Sequence, residues 1–195
     1  MELSSFDHDA YYKRAQAHLE IGRVSSALDD LKSAINIAPT NTKYLYLRGL
    51  VSLESGEFQR ALLDFDSAIS ITNNCGPQTI SRAGEMYKMH ASPSQYVGLR
   101  CGWEDADFVN PLFARSFLDL GRTYAQLGGL EQAITNTNQA VEILKNRFNT
   151  PEWDLAKPMI NDQLAETHQF LGDVYAKLGK ETEAQREYRL SSGLR

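Results

Sequence analysis

Ala27-Leu28-x-x-Leu31-x-x-Ala34-Ile35-x-Ile37-x-Pro39 decides the fold, because it returns 34 residues later as Ala61-Leu62-x-x-Phe65-x-x-Ala68-Ile69-x-Ile71. Gly22 and Gly56 keep the same spacing. A third copy reads Leu120-Gly121-x-x-Tyr124-x-x-x-Gly128, then Ala133-Ile134, Ala140-Val141 and Ile143. A fourth reads Leu171-Gly172-x-x-Tyr175-x-x-x-Gly179, followed by Ala184, Tyr188 and Leu194. Apolar residues at i, i+3, i+4 and i+7 in both halves of each copy predict a pair of amphipathic helices. Gly22, Gly56, Gly128 and Gly179 fall where the first helix must stop and turn, a position that favours left-handed backbone. Gly49, Gly121 and Gly172, with Ala15 in the first copy, are small where two helices are expected to cross. Ala27, Ala61, Ala133 and Ala184 are expected to face them from the second helix.

The joint pattern resembles the tetratricopeptide repeat family: aromatic-x-x-Leu-Gly-x-x-Tyr, then Ala-x-x-x-Phe, then Pro, with a period of about 34 residues. The resemblance sets frames at 8–41, 42–75, 114–147 and 165–195. It implies an all-α, right-handed superhelical array of antiparallel helix pairs, a solenoid forming one domain over residues 1–195. Two segments break the period. Residues 76–113 are read as an irregular or degenerate repeat, with a helix near Gln78 to His90 and a fresh helix start at Asn110-Pro111. Residues 148–164, with Pro151, Trp153 and Pro158, are read as lengthening a helix pair. Arg14 and His18 in the first frame, and Gln185, Ser191 and Ser192 in the last, suggest water-tolerant ends of a whole small array. The rival is an array whose last helix needs a partner.

Composition narrows the function. The chain is 42% hydrophobic and 23% charged, with a net charge of −5, which excludes a disordered tail and argues against a nucleic-acid surface. Two cysteines, Cys75 and Cys101, are too few for a disulfide framework. The N-terminus lacks the basic start and apolar stretch of a signal peptide. The most apolar run, Tyr44 to Leu53, is interrupted by Arg48 and falls short of a bilayer span. A cytoplasmic protein, without membrane insertion and monomeric in isolation, is the expectation.

No catalytic or metal motif competes with the repeats. His-Glu-x-x-His and Cys-x-x-Cys are absent from the sequence, and Gly128-Gly129 is followed by no Gly-Lys-Ser/Thr. His18 and His168 occupy packing positions of their frames. Carboxylate pairs such as Asp29-Asp30 and Glu104-Asp105 read as solvated surface. No catalytic residue, cofactor or metal ligand is therefore expected. The alternatives are an RNA-binding helical repeat, or a small-molecule or enzymatic site around His90, Cys101, Trp103 and Asp105.

The resemblance implies a non-catalytic adaptor or scaffold whose first helices line a concave groove for a peptide or helix of another protein. Position by position, it assigns partner binding to Tyr12, Gln16, Tyr46, Leu50, Tyr87, Arg115, Arg122, Gln169 and Asp173. Tyr12, Tyr46 and Arg122 are the leading contacts. Arg115 and Arg122 either hold an acidic side chain of the partner or pair with Asp119 and neighbouring glutamates. The clamp that chaperone-binding members use for a C-terminal carboxylate is not matched. Its positions hold Tyr12, Gln16, Leu47, Pro77 and Ser81, so the acidic tails of heat-shock chaperones are not the expected ligand.

Overall fold

The computed structural model describes residues 7–74, 106–149 and 156–194, and every regular element among them is a helix. The helix expected near Gln78 to His90, both cysteines and both tryptophans lie outside the described residues. The chain divides into two compact units, residues 1–113 and 114–195.

The first unit contains α1 (His8–Glu20), α2 (Val24–Ile37), α3 (Thr42–Glu54) and α4 (Phe58–Asn74). Polar side chains start two of these helices: Asp7 accepts from the Ala10 amide at 2.9 Å, and Asn41 from the Lys43 amide at 3.1 Å. The turn between α1 and α2 is closed by the Gly22 amide on the Leu19 carbonyl and the Arg23 amide on that of His18. Gly22 has φ of 72°, so the helix ends in a Schellman motif. Gly56 repeats this arrangement between α3 and α4, with the Glu57 amide on the Ser52 carbonyl. Ala15, Ala27 and Leu31 are fully buried where α1 crosses α2, and Tyr44 and Leu45 pack with Ala34 and Ala68.

The second unit holds most of α5 (Ala106–Gln126) together with α6 (Leu130–Phe148), α7 (Lys157–Lys177) and α8 (Glu181–Gly193). Gly128 and Gly179 close its two turns in the same way. One core runs through it, built on Ile134, Leu144, Ile160, Leu164 and Leu171, with Leu194 packed against it. The three helices α5, α6 and α7 contain 21, 19 and 21 residues, against 13 and 14 for α1 and α2. The second insert does lengthen a helix pair, since α7 begins eight residues before its frame. At the other insert the expected start is corrected. α5 begins at Ala106 rather than at Pro111, and the proline, lacking an N–H, removes one backbone bond without ending the helix.

The close helix crossings are as expected in place but not in partner. The four alanines are fully buried, yet the small sites on the first helices mostly meet residues one turn further along the second. A methyl on Gly49 would stand 2.8 Å from the Phe65 ring, and one on Gly172 would overlap Tyr188. Gly121 is hemmed in by Thr137 and by the Ala133 carbonyl, which would lie 3.0 Å from a methyl added there. The small residue is thus a seat for a large side chain, and the alanine only lets the axes approach.

Two readings of charged residues are overturned. Asp29 is solvated, but Asp30 is buried and grips Arg14 through both oxygens, at 2.7 and 2.5 Å. Arg14 is therefore no mark of a chain end. Arg48 and Asp64 repeat the same fork in the second frame at 2.8 and 2.6 Å. Hydrogen bonding to these carboxylates pushes both guanidiniums further above their usual range. Nor does Ser191 face water: it is buried, and its hydroxyl donates to the Ala165 carbonyl at 2.8 Å. A serine there satisfies its one donor locally and so tolerates the interior.

The third frame shows an uncharged solution, with Leu120 and Asn136 where the second has Arg48 and Asp64. Removing one member of a buried pair strands the other, at about 3–5 kcal/mol. Arg48→Leu alone should therefore lower stability to urea by about that amount. Adding Asp64→Asn should restore more than half of the loss. A single variant as stable as the wild type would show that Asp64 is satisfied without Arg48. Gly172→Ala should also cost about 1–3 kcal/mol, through its overlap with Tyr188.

Candidate functional site

The assigned binding residues fall on the first helices of the pairs, in two groups, one in each unit. Tyr87 lies outside the described residues.

In the first unit, α1 and α3 carry Tyr12, Gln16, Tyr46 and Leu50. Tyr12 is half-buried, with its ring centroid 4.9 Å from that of Tyr44 at an interplanar angle of 33°. Burial, helped by the charge of Asp9, pushes the Tyr12 phenol above its ordinary value, so it is neutral at physiological pH. Exposed Gln16 reaches the Tyr12 hydroxyl at 3.4 Å, a long contact. Tyr46 leans on Phe65 with centroids 5.8 Å apart, and Leu50 is half-buried.

Behind this surface stands a support that the sequence did not announce. Tyr44 is 1% exposed; its hydroxyl donates to Asp9 at 2.9 Å and lies 2.7 Å from Nδ1 of His8. That hydroxyl is the polar handle of an otherwise buried ring, and it ties the start of α1 to α3.

In the second unit the surface is charged. Arg115 and Arg122 lie two turns apart on α5, and Asp119 between them is buried. Arg122 contacts Asp119 at 2.8 Å, and Arg115 contacts it at 3.5 Å. From α7, Glu166 extends one oxygen to each arginine, at 2.6 Å to Arg115 and 2.7 Å to Arg122. Of the two expectations for these arginines, pairing within the chain describes the structure. Phe170 stacks under the Arg122 guanidinium at 5.8 Å. Further along α7, exposed Gln169 approaches Asp173 at 3.4 Å, and Tyr188 donates to the same Asp173 oxygen at 3.0 Å. A small depression beside Arg115 is lined by Ala114, Leu118, Leu144, Gln163 and Thr167.

Two buried ionisable groups stand apart from these surfaces. His168 is 3% exposed in the aromatic slot of its frame, as a packing residue should be, but it also bonds Glu187 through Nδ1 at 2.6 Å. Arg147 is buried near the end of α6, and desolvation pulls its guanidinium down to about 10, still protonated at neutral pH.

Burial alone would raise the Glu166 carboxyl. The Arg122 hydrogen bond and the charges of both arginines outweigh it and hold the carboxyl below its ordinary 4.5. A folded-state value below the unfolded one means stability that is present above the unfolded value and lost as the pH falls through the folded one. Glu166 is partly exposed, so the contribution is screened to about 1 kcal/mol. The stability gap between the wild type and Glu166→Gln should have about that size at pH 7, shrink as the pH falls below the ordinary 4.5, and close once it passes the depressed folded-state value. Paired urea titrations measure it; a gap unchanged at low pH would mean that the carboxylate charge is not its source.

The profile of the tetratricopeptide repeat family matches residues 8–41, 114–145 and 165–195. These segments leave out 42–75, although α3 and α4 there share the glycine turn and the buried alanine of the matched frames. A tetratricopeptide repeat and J domain-containing co-chaperone of Cryptococcus neoformans var. grubii is 28% identical over 81 residues. That match takes in 42% of this chain and 16% of the co-chaperone's length. Among solved structures, MamA is similar with a TM-score of 0.64 at 16% identity, covering 97% of this chain and 78% of MamA. BtubC from P. vanneervenii is similar with a TM-score of 0.69 at 16% identity, covering 96% of this chain and 62% of BtubC. At such identity these two likenesses speak for the all-α repeat fold alone. With its recurring frames and its glycine-closed helix pairs, the chain belongs to the tetratricopeptide repeat family.

Proposed function

We propose that this chain is a non-catalytic adaptor that holds a peptide or helix of another protein against the first helices of its pairs. The observation that carries this reading is the surface of α1 and α3. Tyr12, Tyr46 and Leu50 sit there half-exposed beside the uncharged amide of Gln16. Tyrosines braced from behind by Tyr44 and Phe65 offer contact area that loses little side-chain freedom on binding, and such residues dominate protein interfaces. The second surface, with Arg115, Arg122, Gln169 and Asp173, adds charge and direction. Membership of a family of protein-interaction scaffolds supports the same conclusion.

No group of three or more His, Cys, Asp or Glu among the described residues is placed to hold a metal ion. No described helix is long and apolar enough to cross a membrane. The net charge of −5 suits a protein partner better than a nucleic acid. We place the adaptor in the cytoplasm and expect a monomer in isolation, which sedimentation of the purified chain measures.

Affinity capture from native cell extract, read by mass spectrometry, tests the surface. Tyr12→Ala, Tyr46→Ala and Gln16→Arg together should reduce capture of the specific partner about tenfold or more, since central aromatic contacts are worth about 2 kcal/mol each. Thermal melting should remain cooperative. Unchanged capture by a folded triple variant would move the binding surface elsewhere on the chain.

A further inference from the structure

Glu166 is the outermost member of a group of four charges, and the other three are arranged without it. Asp119, whose side chain is 3% exposed, holds Arg122 and Arg115 from within their own helix. Phe170 supports Arg122 from another side. Both guanidiniums are thereby kept in position by groups locked into the packed interior of the unit. Asp119 is one carboxylate facing two guanidiniums, and both guanidiniums also contact a second one. Glu166 supplies that carboxylate from a different helix, with its side chain 36% exposed and one oxygen on each arginine. Each arginine thus makes one charge-assisted bond, and the carboxylate bridges the two guanidiniums.

We propose that Glu166 is an exchangeable occupant of a two-arginine carboxylate site, and that an acidic side chain of the partner protein takes its place. The proposal rests on the scaffold reading above. The exchange conserves charge and hydrogen bonds. Glu166 turns out to water, where an ionised carboxylate is well solvated, and the incoming Asp or Glu sets its oxygens on the same two guanidiniums. No buried charge is stranded at any point, because the departing group already faces solvent. The forks of Arg14 with Asp30 and of Arg48 with Asp64 admit no such exchange. Their carboxylates are buried, and a departing aspartate would have to leave the core. Glu166 therefore sets an affinity threshold that a lone surface carboxylate does not cross and a multivalent acidic segment does.

The probe is a fluorescein-labelled dodecapeptide of alternating Glu and Ala with an amidated C-terminus, beside its Gln counterpart. Binding to the full chain is read by fluorescence polarisation at low salt. Glu166→Gln should bind the Glu peptide about tenfold more tightly than the wild type, as expected when a charge-assisted competitor is removed. The Gln peptide should show no difference. Arg122→Ala in the same background should abolish the gain, and so should 0.5 M salt. Glu166→Ala, which cannot refill the site with an amide, serves as the second variant. If both Glu166 variants melt as folded proteins and bind the Glu peptide no better than the wild type, the exchange is wrong. Capture that still depends on Tyr12 and Tyr46 would then leave the scaffold reading in place.

Discussion

Everything in this chain depends on how closely two helices cross within one repeat. The crossing needs a first-helix residue with little or no side chain, and Ala15, Gly49, Gly121 and Gly172 provide it. A large residue of the second helix then lies directly on the first, as Phe65 does on Gly49 and Tyr188 on Gly172. The left-handed glycine that ends each first helix fixes the angle at which the second returns. Once turn and crossing are fixed, one face of each first helix is committed to packing. The opposite face is left for everything else the protein does.

Tight crossing also brings polar side chains into low dielectric, where each must find a partner or be replaced. The first two frames answer with a forked arginine and aspartate sixteen residues apart. In the third, Asn136 turns back to the Gln132 carbonyl of its own helix at 2.9 Å. Glu187 of the fourth meets His168. One position on the second helix has thus received several chemical solutions without altering the backbone around it. Burying a pair together is close to neutral, whereas burying half of one is strongly unfavourable. Substitution at that position is therefore tolerated only when both helices change.

Features that recur at the repeat period could be read from the chain alone, because periodicity reports local backbone and burial. The glycine turns, the buried alanines, the packing role of His168 and the extended second insert were all legible in this way. What could not be read was which side chain reaches which. Asp30 next to Asp29 looks like surface because adjacent helix residues are judged by sequence, while about 100° of rotation separates water from core. The signal was nonetheless present: Arg14 with Asp30 returns as Arg48 with Asp64, at the same spacing and one period on. For Arg115 and Arg122 the sequence leaves the choice of partner open. Glu166 lies 51 and 44 residues away from them, and no local pattern reaches that far. The start of α5 differs from the expected one for another reason: Asn110-Pro111 has the form of a helix start, but a helix already under way also accommodates a proline at the loss of one bond.

The two units place their arginines differently, and this difference separates structure from recognition. In the first unit, Arg14 and Arg48 point across a single helix pair and hold it together. Their counterparts in the second unit, Leu120 and Leu171, are buried and uncharged, so no arginine fork holds those pairs. There α7 is tied to α8 by His168 with Glu187 and by Ser191 with the Ala165 carbonyl. Arg115 and Arg122 stand instead on the partly exposed side of α5, where they bridge one first helix to the next through Glu166. A charge inside a pair cannot respond to a ligand, because moving it unfolds the repeat. A charge between first helices is anchored at one end, by Asp119, and meets a partly exposed carboxylate at the other. The aromatic surface of the first unit gains its rigidity from buried Tyr44 and Phe65, and the charged surface of the second gains its own from buried Asp119. In both, a partly exposed side chain is held by a buried one.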